Sequence, residues 1–196
     1  MDQLSDEQLF KLFQNGDNKP FDYLMVKYQN KLVTFIYMIV GDQNLAEDLA
    51  QDTFVKVITK KHTYNEKVGA KFSTWMYTIA KNLAFSELRK KTRRKTDSFS
   101  DIKRGGEDQA GRPIEIADFS QNPEDQIMAS FKKVEIFNGL SLLSEEFKLI
   151  IILRDIQELS YDRISTILEV PIGTVKSRIN RARDKLLLIL KEKGTV

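Results

Sequence analysis

Along almost the whole chain, apolar side chains recur at spacings of three and four, the period of a helix with one buried face. The pattern fails at length only once. From Thr96 to Asn122 it is interrupted by Gly105, Gly106, Gly111 and Pro113, and acids dominate. A stretch of 27 residues without periodicity is too long for a loop inside a compact domain and marks a linker. The expectation is therefore an all-α protein of two small helical domains, residues 1–95 and 123–196, joined by a flexible acidic linker, 96–122. A total of 196 residues suits that division.

The helices can be placed from their caps and breakers. Ser5 opens a short helix through Phe13, with Asp6 and Glu7 in its first turn. Gly16-Asp17-Asn18 ends it, and Pro20 suits the first turn of a long apolar helix that runs to Val40. A third helix covers Gln43 to Lys60, with Leu45, Leu49, Phe54, Val57 and Ile58 directed inward. Lys61 to Ala70 reads as a loop. A fourth helix starts near Phe72 and places Phe72, Trp75, Met76, Ile79 and Leu83 on one face. Its other face carries Thr74, Tyr77, Thr78, Lys81, Phe85 and Arg89. Two readings fit Tyr77 and Phe85 there: packing on a neighbouring helix, or stacking surfaces for bases. Beyond the linker, helices are expected over Pro123–Gly139 (Ile127, Phe131 and Val134 on one side), Ser144–Ile156, Tyr161–Leu168 and Gly173–Lys191.

A net charge of +3 hides strong segregation. Lys81 to Lys95 holds seven bases against one acid, and Pro171 to Val196 seven against two. Thr96 to Gln126, between them, holds eight acids against three bases. Two basic patches flanking an acidic strip read either as solvated helix ends or as two polyanion-binding surfaces. Other classes are excluded by composition. With no cysteine there is no disulfide framework and no thiolate zinc site, and a single His62 rules out a poly-histidine centre. Apolar runs such as Leu149–Leu153 are far shorter than the ~20 residues that span a bilayer. No signal peptide is read at the start, so a cytoplasmic location is expected.

The C-terminal third carries the sharpest motif. Tyr161–Leu168, capped by Ser160, is followed by Glu169-Val170-Pro171 and then by a helix that Thr174 caps, reading Val175, Lys176, Ser177, Arg178, Ile179, Asn180, Arg181, Ala182, Arg183. A short helix, a brief turn and a basic, polar second helix make a helix-turn-helix, whose second helix enters a major groove. Arginine can bridge O6 and N7 of guanine there.

Two blocks of the sequence resemble the extracytoplasmic-function (ECF) group of bacterial RNA polymerase sigma factors. The first is Ala46-Glu47-Asp48-Leu49-Ala50-Gln51-Asp52-Thr53-Phe54, then Phe72-Ser73-Thr74-Trp75, then Ile79-Ala80-Lys81-Asn82 with Arg89, Arg93 and Arg94 after it; it is similar to conserved region two. The second runs from Leu159-Ser160-Tyr161 through Pro171-Ile172-Gly173-Thr174-Val175-Lys176-Ser177-Arg178 to Arg181-Ala182-Arg183, and is similar to region four.

The resemblance implies a transcription-initiation factor, not an enzyme, that binds core RNA polymerase, directs it to promoters and helps open the DNA. Lys81, Asn82, Phe85, Arg89, Lys90, Arg93 and Arg94 would meet the −10 element. Thr174, Lys176, Ser177, Arg178, Asn180, Arg181 and Arg183 would meet the −35 element. Glu47, Asp48, Gln51 and Asp52 match the positions that dock on the polymerase. It also implies an anti-sigma partner, often membrane-anchored, and neither a cofactor, a metal nor a small-molecule substrate. Stacking on an aromatic returns ~1–3 kcal/mol per base toward the cost of extruding it. Two helical turns of DNA between the elements measure roughly 70 Å. The linker spans up to ~90 Å extended but only ~30 Å as a random coil, so it bridges them only when held extended.

Four positions depart from the family pattern. Ser86 stands where an Asp is usual, Ser144 where a proline is frequent, and Glu158 and Glu169 where glycines are usual. A non-glycine at 169 predicts backbone strain in the turn. Two other classes fit parts of the chain: a helix-turn-helix regulator acting without polymerase, and a helical nuclease or hydrolase using Glu47, Asp48 and Asp52.

Overall fold

The computed structural model of the protein describes residues 4–65, 71–99 and 135–194. They fall into two compact units, one of the residues up to 99 together with Thr166–Glu169, the other of the remaining C-terminal residues. Among the described residues every regular element is helical. Residues 100–122 of the expected linker lie outside the described residues, as do Ile127, Phe131 and Val134 of the helix expected at 123–139. The first four linker residues, 96–99, are instead the last turn of a helix, which corrects the expected start of the linker.

The first unit begins with α1 (Asp6–Gln14). Ser5 Oγ accepts from Gln8 N–H at 3.2 Å and Gln8 Oε1 accepts from Ser5 N–H at 2.9 Å, a reciprocal cap that satisfies two otherwise orphaned donors. Helix α2 (Lys19–Val40) starts with Pro20 in its first turn and ends where Gly41 takes a left-handed φ of 74°. Asp42 then caps α3 (Gln43–Thr59), accepting from Leu45 N–H at 3.0 Å. A short 3₁₀ turn, Lys61–Thr63, precedes α4 (Phe72–Phe99). Helix α2 is central and packs on α1, α3 and α4 through Leu24, Leu32, Phe35 and Ile36, all fully buried.

Helix α1 fastens α4 in place. Phe10 is fully buried, and its ring lies 4.7 Å from Phe72, 5.3 Å from Tyr64 and 5.6 Å from Phe13 and from Trp75. The buried carboxylate of Glu7 accepts from Phe72 N–H at 3.1 Å, supplying one of the first-turn donors of α4 with a partner. Asp6 accepts from the Tyr28 hydroxyl at 2.5 Å and from Lys27 Nζ at 2.6 Å, which ties α1 to α2. Gln14 Nε2 donates to the carbonyls of Lys61 (2.5 Å) and Tyr64 (3.0 Å), holding the approach to α4.

Two expectations from periodicity are corrected here. Ile58 points outward from α3, while the buried stripe is Ala46, Leu49, Ala50, Thr53, Phe54 and Val57. In α4 the buried stripe is rotated toward Phe72, Ser73, Met76, Tyr77, Ala80 and Ala84; Trp75, Ile79 and Leu83 are only half-buried. Tyr77 packs edge-on against Phe35 with ring centres 5.0 Å apart, so of its two readings the core one holds. Burial pushes its hydroxyl pKa well above the ordinary tyrosine value.

The second unit starts with α5, helical over residues 135–141, followed by α6 (Glu145–Ile151), which runs into a π-helical turn, Ile152–Ile156. Then come α7 (Tyr161–Leu168) and α8 (Ile172–Glu192). Leu140, Ile150, Ile152, Leu153, Ile164, Val175 and Ala182 are fully buried. Gly139 lets α5 approach α8 closely: a Cβ there would lie 3.1 Å from Leu186 Cδ1 and from Leu190 Cδ2. Ser144 occupies the N-cap of α6 in an extended conformation, but its side chain makes no capping bond.

Truncating Phe10 to Ala removes the ring on which the cluster converges and is expected to cost about 3–5 kcal/mol. Glu7→Ala leaves the Phe72 amide unpaired and is expected to cost about 1–3 kcal/mol. Urea unfolding followed by circular dichroism measures both.

Candidate nucleic-acid interface

Three helix faces carry the residues that the sequence singled out. On α3 the buried stripe fixes which side chains turn outward. Glu47, Asp48, Gln51 and Asp52 are all exposed, and they form one polar ridge that continues into exposed Val55 and Ile58. Glu47 accepts from Gln43 Nε2 at 2.6 Å one turn earlier. The structure thus brings the four docking candidates together. Among the described residues no group of three or more His, Asp or Glu side chains is placed to hold a metal ion.

On α4, Asn82, Arg89, Lys90, Arg93 and Arg94 are exposed, while Lys81 and Phe85 are half-buried. Lys90 Nζ lies 2.9 Å from Glu87 Oε2, so one of the cations is partly neutralised within its own helix. The remaining arginines extend along the distal half of α4. They suit the non-specific holding of phosphates, which gives affinity and register without reading sequence.

The third face belongs to the helix-turn-helix. Ser160 caps α7, accepting from Arg163 N–H at 3.4 Å. The turn closes at both ends of the same pair: Val170 N–H donates to the Ser165 carbonyl at 3.2 Å, and Ser165 Oγ donates to the Val170 carbonyl at 2.5 Å. Glu169, just before Val170, has a φ of 57°, and Glu158, which ends the preceding helical stretch, has 54°. Both are left-handed, the conformation that glycine adopts without cost, so the strain expected at 169 is present and 158 shares it.

Helix α8 begins at Ile172, one residue earlier than the sequence suggested. Pro171 is its N-cap and no side chain caps it, which corrects the capping role given to Thr174. Thr174 is instead half-buried in the first turn, and its carbonyl accepts from Ser177 Oγ at 3.0 Å. Val175, Ile179 and Ala182 are buried, so Lys176, Ser177, Asn180 and Arg181 share the outward face. Arg181 is steadied by Ser177, donating from Nε to its carbonyl at 3.3 Å and from Nη2 to its hydroxyl at 3.4 Å. Arg178 and Arg183 stand apart from that row. Arg178 is largely covered and lies 3.7 Å from Glu146; Arg183 binds both carboxylate oxygens of Asp155, in the π turn, through Nε and Nη2. That hydrogen bond raises the Arg183 pKa above its usual value. Sequence reasoning missed Asp155 and Glu146, because periodicity shows neither a π turn nor a partner on another helix.

The comparisons with known proteins agree on one family. The model for sigma-70 region 2 matches residues 24–94, and that for sigma-70 region 4 matches residues 134–186. The chain is 34% identical to the RNA polymerase sigma-H factor of Pseudomonas aeruginosa over 187 residues, covering 94% of this chain and 93% of that one. It is 31% identical to the ECF RNA polymerase sigma factor SigW of Bacillus subtilis, with 93% and 95% covered. Among solved structures it is similar to the sigma factor RpoE bound to the anti-sigma factor NepR from Bartonella quintana, with a TM-score of 0.67, 26% identity, and 88% and 98% covered. CnrH in complex with the cytosolic domain of CnrY has the same TM-score at 18% identity and shares the fold.

Replacing Glu158 or Glu169 with Gly relieves a left-handed non-glycine residue. Each change is expected to stabilise the protein by about 0.5–1 kcal/mol, seen as a higher urea midpoint at unchanged slope.

Proposed function

This chain belongs to the extracytoplasmic-function sigma factors of RNA polymerase, and we propose how its two helical units act in promoter-specific transcription initiation. The α3 ridge of Glu47, Asp48, Gln51 and Asp52 docks on core polymerase, with Val55 and Ile58 adding apolar contact at its end. The α4 cations Arg89, Lys90, Arg93 and Arg94 hold phosphates around the −10 element, while Lys81, Asn82 and Phe85 meet bases of the opened strand. The α8 row Lys176, Ser177, Asn180 and Arg181 reads the −35 element in the major groove.

The observation that carries this reading is the relationship over nearly the whole chain to sigma-H at 34% identity, with both region models matched in order. The geometry supports it, since the outward faces of α3, α4 and α8 carry the charge signs that a protein surface and DNA demand. The protein performs no reaction of its own and lends sequence specificity to the polymerase. It works where polymerase works, in the cytoplasm; no helix among the described residues is long and apolar enough to cross a membrane. Because RpoE is bound to an anti-sigma factor in its solved structure, a protein inhibitor that covers the polymerase-docking faces is the expected regulator here as well.

The test is run-off transcription with bacterial core polymerase on a promoter selected from a random library. Arg181→Ala should lose about 1–3 kcal/mol of −35 discrimination, roughly 5- to 150-fold. Asp48→Ala should lower output at limiting protein and recover it when more protein is added. Wild-type output from both variants at every concentration would overturn the assignment of these faces.

A further inference from the structure

Arg183 sits at the edge of the outward face of α8, next to Lys176 around the helix axis, but its guanidinium is turned back into its own unit. Nε donates to Asp155 Oδ2 at 3.2 Å and Nη2 donates to Asp155 Oδ1. A fork that engages both carboxylate oxygens fixes an angle as well as a distance. Asp155 is aimed there by the π turn Ile152–Ile156, in which Gln157 N–H donates to the Ile152 carbonyl at 2.9 Å, one residue further back than in an α-helix.

The adjacent residue of the same turn points to the other helix of the motif. Arg154 Nη1 donates to the Leu159 carbonyl at 2.9 Å, and its guanidinium lies 4.9 Å from the centre of the Tyr161 ring at the start of α7. One widened turn therefore grips both α7 and α8. The apolar seam under this part of α8 is narrow, formed by Val175, Ile179 and the small Ala182, so it constrains rotation about the helix axis weakly.

We propose that the Asp155–Arg183 pair is a positioning device that sets the rotation of α8, and that Arg183 is a positioning residue and makes no contact with DNA. This rests on the reading of α8 as the −35 helix. The pair is partly exposed, with Arg183 at 49% and Asp155 at 33%, so its effect on global stability is small. Its effect falls on where Lys176, Ser177, Asn180 and Arg181 point.

The experiment uses the full chain with bacterial core polymerase and a promoter library randomised in its upstream element, sequencing the bound fraction at several salt concentrations. Arg183→Ala and Asp155→Asn should each lower enrichment of the preferred upstream sequence by a similar factor, about 3- to 10-fold, and the double variant no further. Exchanging the pair, Asp155→Arg with Arg183→Asp, should recover most of that enrichment. The salt slope should stay unchanged throughout. A phosphate contact by Arg183 predicts the opposite: Asp155→Asn costs nothing, Arg183→Ala lowers the slope by about one, and the exchanged pair is worse than either single variant. That outcome overturns the proposal, and so does wild-type enrichment in all variants. If the wild-type protein selects no upstream sequence, the promoter-reading role of α8 fails, and the role of the pair goes with it.

Discussion

A helix that presents a working face must be held at one rotation about its axis, because each residue turns the chain by about 100° and a slip of one position changes every outward side chain. Helices α3, α4 and α8 all work under this constraint, and each meets it from the opposite side. Ala46, Leu49, Phe54 and Val57 hold α3; Phe72, Met76, Tyr77 and Ala80 hold α4; the narrower seam of Val175, Ile179 and Ala182 leaves α8 more dependent on polar contacts such as Asp155 with Arg183. For α4 the decisive fixture lies at its beginning, where the Phe10 ring and the Glu7 carboxylate meet Phe72. The far end of α4, with Arg89, Arg93 and Arg94, is aimed by contacts made several turns earlier.

Much of this was legible in the sequence, and the failures have specific causes. Caps such as Ser5 and Ser160 act through neighbours within three or four residues, so a linear reading captures them. The ridge Glu47, Asp48, Gln51, Asp52 was equally visible, since one helical period determines it. The rotation of α4 was misjudged because, beside Phe72, Met76 and Tyr77, its buried face includes Ser73, Thr74, Ala80 and Ala84, small or polar residues that a hydrophobic count passes over, while the half-exposed Ile79 and Leu83 dominate it. The partners of Arg178 and Arg183 were hidden for a different reason. A basic residue on a recognition helix looks the same in sequence whether it faces DNA or a carboxylate from another helix, and only the fold shows Glu146 and Asp155 beside them.

On the proposed assignment of faces, the separation of charge follows from a division of labour. A surface that docks on another protein can carry acids and exposed apolar side chains, and α3 exposes Asp48, Asp52 and Val55. Surfaces that meet phosphates must be cationic, as α4 and α8 are. As proposed, neither cationic face alone makes more than a few phosphate and base contacts. Mounted on one polymerase and held to one promoter, the second contact becomes intramolecular and gains from a high effective concentration. On this reading two modest modules on one chain suffice.

The central claim is that the protein acts on DNA as a rider on core polymerase. Titrating fluorescently labelled protein with purified bacterial core polymerase, with and without promoter DNA and free of any inhibitor, tests it most directly. The account predicts a one-to-one complex with core, weak and steeply salt-dependent binding to DNA alone, and tight promoter binding only when core is present. Tight binding to DNA alone, with no association with core polymerase, would contradict it.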